Sequence, residues 1–240
     1  MTERLGVITG SEIEIARILE GTREKRVRTP FGDPSSPVRI GLVEGKEVAF
    51  LLRHGEEHQH PPHRVNHRAN IYALSEVGVS RIVSTSSVGS LKREIRPTDF
   101  VIPSDYVSFW NIPTFHDEEV VHITPVLDSE MRRELANCIR DLGYVVHDGG
   151  VYIQTTGPRL ETKAEIQIFE RFGDLVGMTM PSEATLAVEK GILYASVCSV
   201  DNYCHGIVDE ELSYDLILER QRRNSERLSK IISKAIEVLA

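Results

Sequence analysis

The chain has 240 residues, of which 40% are apolar and 27% are charged, a composition typical of a soluble globular protein with one core. Its formal net charge of −8 argues against nucleic acid or an anionic membrane surface as a partner, because both repel an acidic protein. Any anion that the protein binds must therefore be held by a local site.

The cysteines and the first residues indicate the compartment. The three cysteines, Cys138, Cys198 and Cys204, are odd in number and lack metal-ligand spacing, so we expect free thiols in a reducing cytoplasm. The opening stretch "MTERLGVITG" has no long apolar core, and no later segment has the apolar length that spans a bilayer. We therefore expect neither a signal peptide nor a membrane anchor.

Apolar, β-forming runs alternate with amphipathic stretches that end at glycine, which predicts alternating strands and helices. The predicted strands are Leu5–Thr9, Val38–Val43, Val48–Arg53, Arg81–Ser86, Phe100–Pro103, Val151–Thr155, Leu175–Thr179 and Ile192–Val200. The predicted helices are Val65–Val77, Ser129–Leu142, Thr162–Phe172, Ser182–Lys190 and a tail from about Asp209 to Ala240 that a central break could divide. This order predicts a single α/β domain over residues 1–240, with a central mixed sheet flanked by helices.

Chemically distinctive residues follow the predicted strands, at the edge of the sheet where α/β proteins collect ligands. After the first strand, "GVITGSEIEIARILEG" continues through Thr9, Gly10 and Ser11 into a helical pattern, and the start of a helix favours an anion. Spacing alone favours the simpler interpretation of Ser11 as a helix N-cap. The G-x-G-x-x-G spacing of a dinucleotide site is absent from this stretch.

Arg53 and His54 follow another strand in "LLRHGEEHQHPPHRVNH", where a guanidinium fork could hold two oxygens of a phosphate. The stretch contains the histidines His54, His58, His60, His63 and His67. A metal site is the less favoured interpretation, because no cluster of Asp, Glu or Cys completes a ligand set and the prolines indicate an irregular loop. We therefore predict no metal site.

A further strand end carries hydroxyl groups. In "RIVSTSSVGSL", an apolar strand leads into Ser84, Thr85, Ser86 and Ser87, followed by Gly89. Hydroxyls and free amides bind phosphate, although a Ser/Thr-rich turn explains this stretch better when it is taken alone. Three such strand ends, one of them with an arginine, together favour an oxyanion pocket for phosphate, sulfate or a carboxylate.

The last predicted strand raises a separate question. The stretch "ILYASVCSVDNYCHGI" passes from apolar residues into Asp201 and Asn202 with no glycine or proline to mark a surface turn. A carboxylate and an amide at the carboxyl end of a core strand indicate a site that recognises the polar groups of a ligand.

Several stretches resemble the purine nucleoside phosphorylases, in the branch that includes methylthioadenosine phosphorylase. They are "TPFG", "RHG" with "VNHRANIYAL", "VGSL", "TTGPRLETKAE" and "GMTMPSEATLA", and the resemblance covers nearly the whole chain apart from a shortened loop near Asn111–Glu119. It implies the nucleoside phosphorylase-like fold and reversible phosphorolysis of a purine nucleoside to free base and pentose 1-phosphate. It also implies a homotrimer or hexamer, with inorganic phosphate as co-substrate and no metal or organic cofactor.

Carried over by position, the resemblance implies a phosphate site and a sugar contact. The phosphate site comprises Ser11, Arg53, His54, Ser86, Ser87 and Thr179. Ser11 and Ser86 stand where the methylthioadenosine enzymes usually have threonine, and both keep the hydroxyl. Met178 is implied to lie against the pentose, although a methionine beside a strand end is more often part of the core.

Two positions of the implied base pocket distinguish substrate classes. The methylthioadenosine enzymes have Asp at the positions of Asn202 and Cys204, whereas the 6-oxopurine enzymes pair an Asn with the Glu of "GP-x-x-E-T", here Glu161. Asn202 can donate to N7 or O6 of the purine, and Glu161 can accept from the N1–H that adenine lacks. We therefore predict inosine, guanosine or 5′-methylthioinosine as substrate, with S-methyl-5′-thioadenosine as the alternative.

The implied mechanism makes Arg53, His54 and Asn202 the catalytic residues, with Asn202 stabilising the leaving purine through N7. Asp201 either orients the Asn202 amide or caps the turn, and we favour the first role. Tyr203 is a further predicted substrate contact, on the 5′ side of the sugar. A nucleosidase that uses water and a non-catalytic purine-binding protein are the alternatives, and dependence of turnover on phosphate distinguishes them.

Overall fold

The fold is built on a mixed β-sheet, in a computed structural model that describes residues 4–10, 19–110, 112–209 and 213–240. The strands are β1 Arg4–Thr9, β2 Glu20–Lys25, β3 Val38–Val43, β4 Lys46–Leu52, β5 Val79–Ser90, β6 Phe100–Ile102, β7 Asp105–Ser108, β8 Val146–Asp148, β9 Val151–Gln154, β10 Leu175–Gly177 and β11 Leu193–Tyr203. The helices are α1 His67–Glu76, α2 Ser129–Asp141, α3 Lys163–Phe169, α4 Met180–Glu189 and α5 Tyr214–Leu239, with a 3₁₀ turn at Pro62–Arg64.

The parallel centre of the sheet decides which chain segments meet. Strands β4, β1, β5 and β11 lie side by side in that order and run parallel, while β3 and β10 pair antiparallel with β4 and β5. The predicted central mixed sheet is therefore confirmed. Because the four parallel strands end at one edge, the segments after Thr9 and Leu52, the last part of β5 and the end of β11 are brought together there. Strand β5 runs to Ser90 instead of ending at Ser86 as predicted, so Ser86 and Ser87 lie within the strand.

Helices cover both faces of this sheet. Helices α1 and α4 pack against one face in a core that includes Ile8 and Leu51, and α2 and α5 pack against the other in a core that includes Val7 and Phe50. Val7 and Ile8 are consecutive in β1, and their side chains enter different cores because successive side chains of a strand point to opposite faces of the sheet. Burial on both faces explains why these central strands are almost continuously apolar.

Three strands were not predicted. The residues of β2, "EGTREK", are all exposed and show no apolar alternation, so their pairing with β3 leaves no periodic signal in the sequence. Strands β7 and β8 are short and contain polar, partly exposed residues, so they lack the buried apolar run that marks the equally short β6 and β10. These segments are strands because a neighbour offers backbone hydrogen bonds, not because a face must be buried.

Helix boundaries differ from the prediction in several places, including the start of α1 at His67 and the end of α3 at Phe169. Helix α4 begins at Met180 instead of Ser182, because Pro181 fits the first turn of a helix, where its missing N–H costs nothing. Helix α5 runs from Tyr214 to Leu239 without the predicted break. It is amphipathic, and within the described ranges no helix combines the length and apolar character that crossing a lipid bilayer requires.

The last strand does not end at Val200 as predicted. Strand β11 continues to Tyr203, and its register against β5 shifts between Val200 and Asn202, so Asp201 occupies an irregular position. Such a bulge re-aims the side chains on either side of it. The polar residues therefore lie within the sheet itself and not in a turn that follows it.

Candidate active site

A cavity of about 660 Å³ opens at the edge where the parallel strands end. This volume lies in the range of sites that bind small molecules. The cavity is lined by nine residues singled out in the sequence, namely Arg53, His54, Ser86, Ser87, Glu161, Met178, Thr179, Asp201 and Asn202. The strand ends thus meet around one pocket, while the chemical role of each residue stays a prediction.

Arg53 is buried in the cavity wall and bound by Glu183 of α4. Its Nε and Nη2 donate to the two carboxylate oxygens at 2.5 and 3.0 Å, and its Nη1 donates to the Thr85 carbonyl at 2.9 Å. Burial lowers the pKa of Arg53, but the Glu183 carboxylate raises it by more. Burial likewise raises the pKa of Glu183, and Arg53 holds it below the ordinary value. Both side chains are therefore charged.

This pairing occupies one edge of the Arg53 guanidinium. Nε and Nη2 hold Glu183, because a buried charge must be matched by an opposite one, and the predicted contact with phosphate stays a prediction for the other edge. A guanidinium has five N–H groups, so one on Nη1 and one on Nη2 have no partner among the described residues. A Cβ on Gly10 would lie 3.3 Å from Nη1, which means that this glycine brings the end of β1 against the guanidinium.

His54 is a neutral acceptor on its cavity side. Its Nδ1 lies 2.7 Å from the carbonyl oxygen of His60, which can only accept, so Nδ1 carries the proton. Burial first, and then the charge of Arg53, lowers the pKa of His54 to about 4. At neutral pH its Nε2 therefore has a lone pair and no proton.

Two hydroxyls in the wall are available for a ligand. Ser86 Oγ is buried and has no hydrogen-bond partner among the described residues. Thr179 is the N-cap residue of α4, yet its side chain makes no capping hydrogen bond. A buried hydroxyl without a partner, such as that of Ser86, is rare in proteins and indicates a position where a ligand or water binds. Ser11, predicted to join them, lies outside the described residues.

Asn202 presents part of its amide to the cavity. Its Nδ2 donates to the Tyr203 carbonyl at 2.9 Å, which fixes the amide orientation because a carbonyl cannot donate. One N–H and the oxygen Oδ1 are left for a ligand. Gly89 of β5 lies opposite, where a Cβ would lie 2.6 Å from Cys204 Sγ and 3.1 Å from Asn202 Nδ2. The absence of a side chain at Gly89 therefore gives Asn202 its room.

Glu161 and Met178 approach the cavity from the segments around β9 and β10. Thr155 Oγ1 donates to Glu161 Oε1 at 2.6 Å, which leaves the second carboxylate oxygen as an acceptor. The sulfur of Met178 lies where a side chain at position 157 would stand, so it depends on Gly157 for its place in the wall. An acceptor from Glu161 and a mixed donor and acceptor from Asn202 can thus face the same ligand.

Asp201 does not orient Asn202, in contrast to the favoured prediction. Its buried carboxylate accepts from Ser87 Oγ and, at 2.7 Å, from Asn224 Nδ2 of α5. Burial raises the pKa of Asp201 to about 6, although these hydrogen bonds oppose the rise. The Ser87 hydroxyl also accepts from Gln221 Nε2 at 2.9 Å. In this arrangement the hydroxyl proton is given to Asp201, and the predicted place of Ser87 in the phosphate site stays a prediction.

Tyr203 also departs from its predicted role as a substrate contact. Its hydroxyl donates to the Arg93 carbonyl at 3.1 Å, and its ring packs against a core cluster that includes Leu91 and Phe169. Tyr203 follows Asn202 directly in β11, and consecutive side chains of a strand point to opposite faces. It therefore lies outside the set of residues that line the cavity.

Helix α5 provides a cavity wall that the sequence analysis missed. The lining residues of this helix are Ile217, Leu218, Gln221, Ser225 and Leu228. Their spacing is that of one helix face, but an amphipathic pattern does not reveal whether the face covers a sheet or a ligand. Glu183 was also missed, although a carboxylate within the apolar stretch "MPSEATLAV" is a signal, because buried carboxylates need a partner.

The histidine-rich loop borders the same cavity. His58 and His60 line it, and the ring of His58 lies 4.8 Å from that of His54. Across the part of the chain that the structure describes, no group of three or more His, Cys, Asp or Glu side chains could hold a metal ion.

Comparisons with known proteins agree with this arrangement. A sequence model of the phosphorylase superfamily matches residues 4–237. A relative from Archaeoglobus fulgidus, named probable 6-oxopurine nucleoside phosphorylase, is 42% identical over 97% of this chain and 96% of its own. A relative from Pyrococcus abyssi, named S-methyl-5′-thioadenosine phosphorylase, is 37% identical over 97% of this chain and 91% of its own. The fold is similar to that of methylthioadenosine phosphorylase from Schistosoma mansoni in complex with adenine, with a TM-score of 0.90 and 27% identity, covering 99% of this chain and 92% of that one.

His67, which lies beside the Arg53–Glu183 pair, should make stability depend on pH. Burial lowers its pKa to about 4, and the opposing effect of Glu183 does not restore it. The unfolded chain therefore binds a proton that the folded chain does not, so stability falls as pH drops from about 6.5 towards 4. We expect the free energy of unfolding of His67→Leu to rise by about 2 kcal/mol relative to that of the wild type when the pH is lowered from about 7 to about 5. Urea unfolding at both pH values measures this.

The comparison between variant and wild type isolates His67. His54 changes stability in the same direction, whereas Asp201 opposes it, because its raised pKa contributes stability that is lost as pH rises through about 6. His63→Leu, at an exposed position of the neighbouring turn, controls for the loss of any imidazole. A stability difference between His67→Leu and the wild type that is the same at both pH values contradicts the prediction.

Proposed function

Because the chain belongs to the phosphorylase superfamily, we propose that it is a pentosyltransferase that cleaves 6-oxopurine nucleosides with inorganic phosphate. The products are the free purine and a pentose 1-phosphate, and the candidate substrates are inosine, guanosine and 5′-methylthioinosine. One observation carries this proposal. The anion-binding groups of Arg53 and Ser86 share a single cavity with the purine-reading pair of Glu161 and Asn202.

Phosphate binds, in this proposal, beside the ends of β1, β4 and β5. The two unpaired N–H groups of Arg53 and the hydroxyls of Ser86 and Thr179 donate to its oxygens. The Glu183 carboxylate fixes the position of the guanidinium and balances its charge. In this proposal phosphate is therefore held mainly by donors whose positions are fixed. Ser11 is predicted to add a further hydroxyl.

His54 restricts the protonation state of the bound phosphate. Because Nδ1 donates to the His60 carbonyl, the Nε2 lone pair can only accept a hydrogen bond. A phosphate oxygen that faces Nε2 must therefore carry a proton. The remaining oxygens are left unprotonated, and one of them can attack the anomeric carbon of the pentose.

Glu161 and Asn202 read the base by donor and acceptor chemistry. The free oxygen of Glu161 accepts from the N1–H of hypoxanthine or guanine, and the free N–H of Asn202 donates to N7 or O6. Adenine would set the lone pair of its N1 against a carboxylate. Such a mismatch costs on the order of 1–3 kcal/mol per group, which is enough to separate the two substrate classes.

The same groups accelerate bond cleavage. The glycosidic bond lengthens first, so positive charge develops on the pentose and negative charge on the purine. Phosphate stabilises the pentose cation and then bonds to it, Met178 packs against the sugar, and Asn202 donates to N7 as charge appears there. A donor aimed at charge that develops in the transition state contributes roughly 10²–10³ in rate.

S-methyl-5′-thioadenosine is the second candidate substrate. The relative from Pyrococcus abyssi and the adenine complex from Schistosoma mansoni favour it. The free Oδ1 of Asn202 could accept from the amino group of adenine, but Glu161 would then face an unprotonated N1. We therefore place this substrate second. A nucleosidase or a purine-binding protein would leave Arg53 and Ser86 without a ligand.

We expect the enzyme to work in the cytoplasm without a metal or organic cofactor, and with neither nucleic acid nor a membrane as a partner. Its cysteines are free thiols, which suits a reducing compartment. The net charge of −8 opposes association with polyanions. Phosphate is a co-substrate in this scheme.

A homotrimer or hexamer is the expected assembly. Apolar side chains about half exposed lie at the β7 edge and on or beside α3, namely Phe109, Trp110, Ile168 and Phe172. Apolar surface of this kind marks a contact between proteins. Light scattering after size-exclusion chromatography should give three or six times the 27.0 kDa of one chain. A monomer at working concentration contradicts this expectation.

The proposed reaction is tested by the release of free base from five nucleosides, each with and without phosphate. These are inosine, guanosine, 5′-methylthioinosine, adenosine and S-methyl-5′-thioadenosine. We expect phosphate-dependent release of hypoxanthine or guanine, with adenine compounds slow. Release that does not need phosphate identifies a nucleosidase, and fast release from S-methyl-5′-thioadenosine refutes the interpretation of Glu161 and Asn202.

Substitutions at Asn202 test its role in catalysis and selectivity. Asn202→Ala should lower kcat by roughly 10²–10³, because the donor to N7 is lost. Asn202→Asp should move preference from inosine towards adenosine, since a carboxylate repels O6 and accepts from the 6-amino group. The ratio of kcat/KM for the two nucleosides measures this. Asn137→Asp, an exposed site on α2, is the matched control, and an unchanged ratio in Asn202→Asp refutes base reading by this residue.

A further inference from the structure

The Ser87 hydroxyl lies between two elements that meet at the cavity. It bonds Asp201 Oδ2 of β11 and accepts from Gln221 Nε2 of α5 at 2.9 Å. The other carboxylate oxygen of Asp201 accepts from Asn224 Nδ2 at 2.7 Å. Ser87 is exposed and lines the cavity. The bonding of this one hydroxyl therefore decides what the cavity wall offers to a ligand at this point.

An ionised Asp201 leaves Ser87 with only a lone pair for the cavity. A hydroxyl has one donor and two acceptor positions, and a carboxylate can only accept. Ser87 must then give its proton to Asp201, while Gln221 occupies one of its lone pairs. The position that is left is the second lone pair. A phosphate oxygen placed there meets an acceptor and loses a hydrogen bond.

A neutral Asp201 reverses the hydroxyl. The proton resides on Oδ2, because Oδ1 already accepts from Asn224, and Oδ2 then donates to Ser87. Both lone pairs of Ser87 are occupied, by Asp201 and by Gln221, so its own O–H points into the cavity. A phosphate oxygen now receives a charge-assisted hydrogen bond.

We propose that Asp201 is a positioning residue that sets, through Ser87, whether the cavity wall donates a hydrogen bond to phosphate or withholds it. The inference rests on the proposed function. Phosphate is the expected ligand because Ser87 lies close to the proposed phosphate site. Thr85, near Ser87 in β5, accepts a hydrogen bond from Arg53 Nη1 through its carbonyl at 2.9 Å. By linkage, phosphate binding draws a proton onto Asp201, and protonation of Asp201 tightens phosphate binding by the same factor.

The surroundings of Asp201 allow both protonation states near neutral pH. Burial raises its pKa to about 6, so the carboxyl changes its protonation state around that pH. The charged side chain packed against it is Arg220 of α5, whose Nη1 donates to the main-chain oxygen of Asp201 at 3.4 Å. The polar side chains that face the carboxyl are Ser87 from β5, Ser199 from β11, and Gln221 and Asn224 from α5.

Ser87→Ala provides the first test, with the Kd of inorganic phosphate measured by calorimetry at about pH 5.5 and about pH 8. At the higher pH the variant should bind phosphate as tightly as the wild type, since Ser87 has no proton to offer. At the lower pH it should bind about tenfold more weakly. Comparing proteins at the same pH removes the titration of phosphate itself. A ratio of the two Kd values that is equal at both pH values overturns the proposal.

Asp201→Asn provides the second test, because its amide mimics the neutral carboxyl. The N–H donates to Ser87 and the oxygen accepts from Asn224. The variant should bind phosphate about tenfold more tightly than the wild type at about pH 8 and equally at about pH 5.5. In the Ser87→Ala background this gain should vanish. A gain that persists there, or a folded variant without a gain, overturns the proposal.

Two controls separate this coupling from other effects. Asp99→Asn removes the charge of another buried aspartate, bonded to His147 outside the cavity, and should leave the phosphate Kd unchanged. If no protein releases base with phosphate, the proposed function fails, while calorimetry still reports on Asp201 and Ser87. If Ser87 instead makes the KM for inosine depend on pH while phosphate binding is unaffected, its partner is a pentose hydroxyl and the proposal is wrong.

Discussion

The buried ion pair between Arg53 and Glu183 is the interaction on which the rest of the site depends. Two buried charges are tolerated only when each is matched and hydrogen-bonded, since removing one from water costs several kcal/mol. The Thr85 carbonyl and the Tyr194 hydroxyl complete the pair, so β4, β5, β11 and α4 meet at one charged point. The pair has no net charge, so what it fixes at the strand ends of this acidic chain is the orientation of the remaining N–H donors of Arg53.

A second set of buried polar contacts, between Asp201 of β11 and Asn224 of α5, lies on the face of the sheet opposite to α4. Asp201 and Asn202 are neighbours in β11 and both line the cavity, yet the carboxylate of the first is bonded to Asn224 of α5, whereas the amide of the second keeps one N–H and its oxygen for a ligand. The register shift against β5 separates them in this way. One strand therefore both anchors the wall formed by α5 and presents the amide that is proposed to read the base.

Much of the architecture could be predicted because burial leaves a pattern. The central strands are apolar on both faces, and glycines such as Gly78 and Gly143 mark the ends of helices. Strand β2 has no such pattern, since all its side chains are exposed and only pairing with β3 makes it a strand. At the site, residue types indicated an anion and the family resemblance indicated a purine, but the hydrogen-bond partners of each side chain were not predictable. Ser87 bonds Asp201, and Tyr203 bonds the Arg93 carbonyl. Both contacts depend on strand alternation and on a bulge in β11, which no local sequence pattern indicates.

The sequence by itself determined the fold class and the presence of polar residues at the strand ends, because local hydrophobic patterning marks both. The resemblance of several motifs supplied the expectation that Glu161 and Asn202 distinguish a 6-oxopurine from an adenine, through the donor and acceptor groups that the two side chains carry. Only the tertiary structure decided that Glu183 holds the fork of Arg53, that Nε2 of His54 is an acceptor, and that α5 closes the cavity. Hydrogen-bond partners far apart in the chain are chosen by how strands and helices pack. The state of each group at the site follows from those partners.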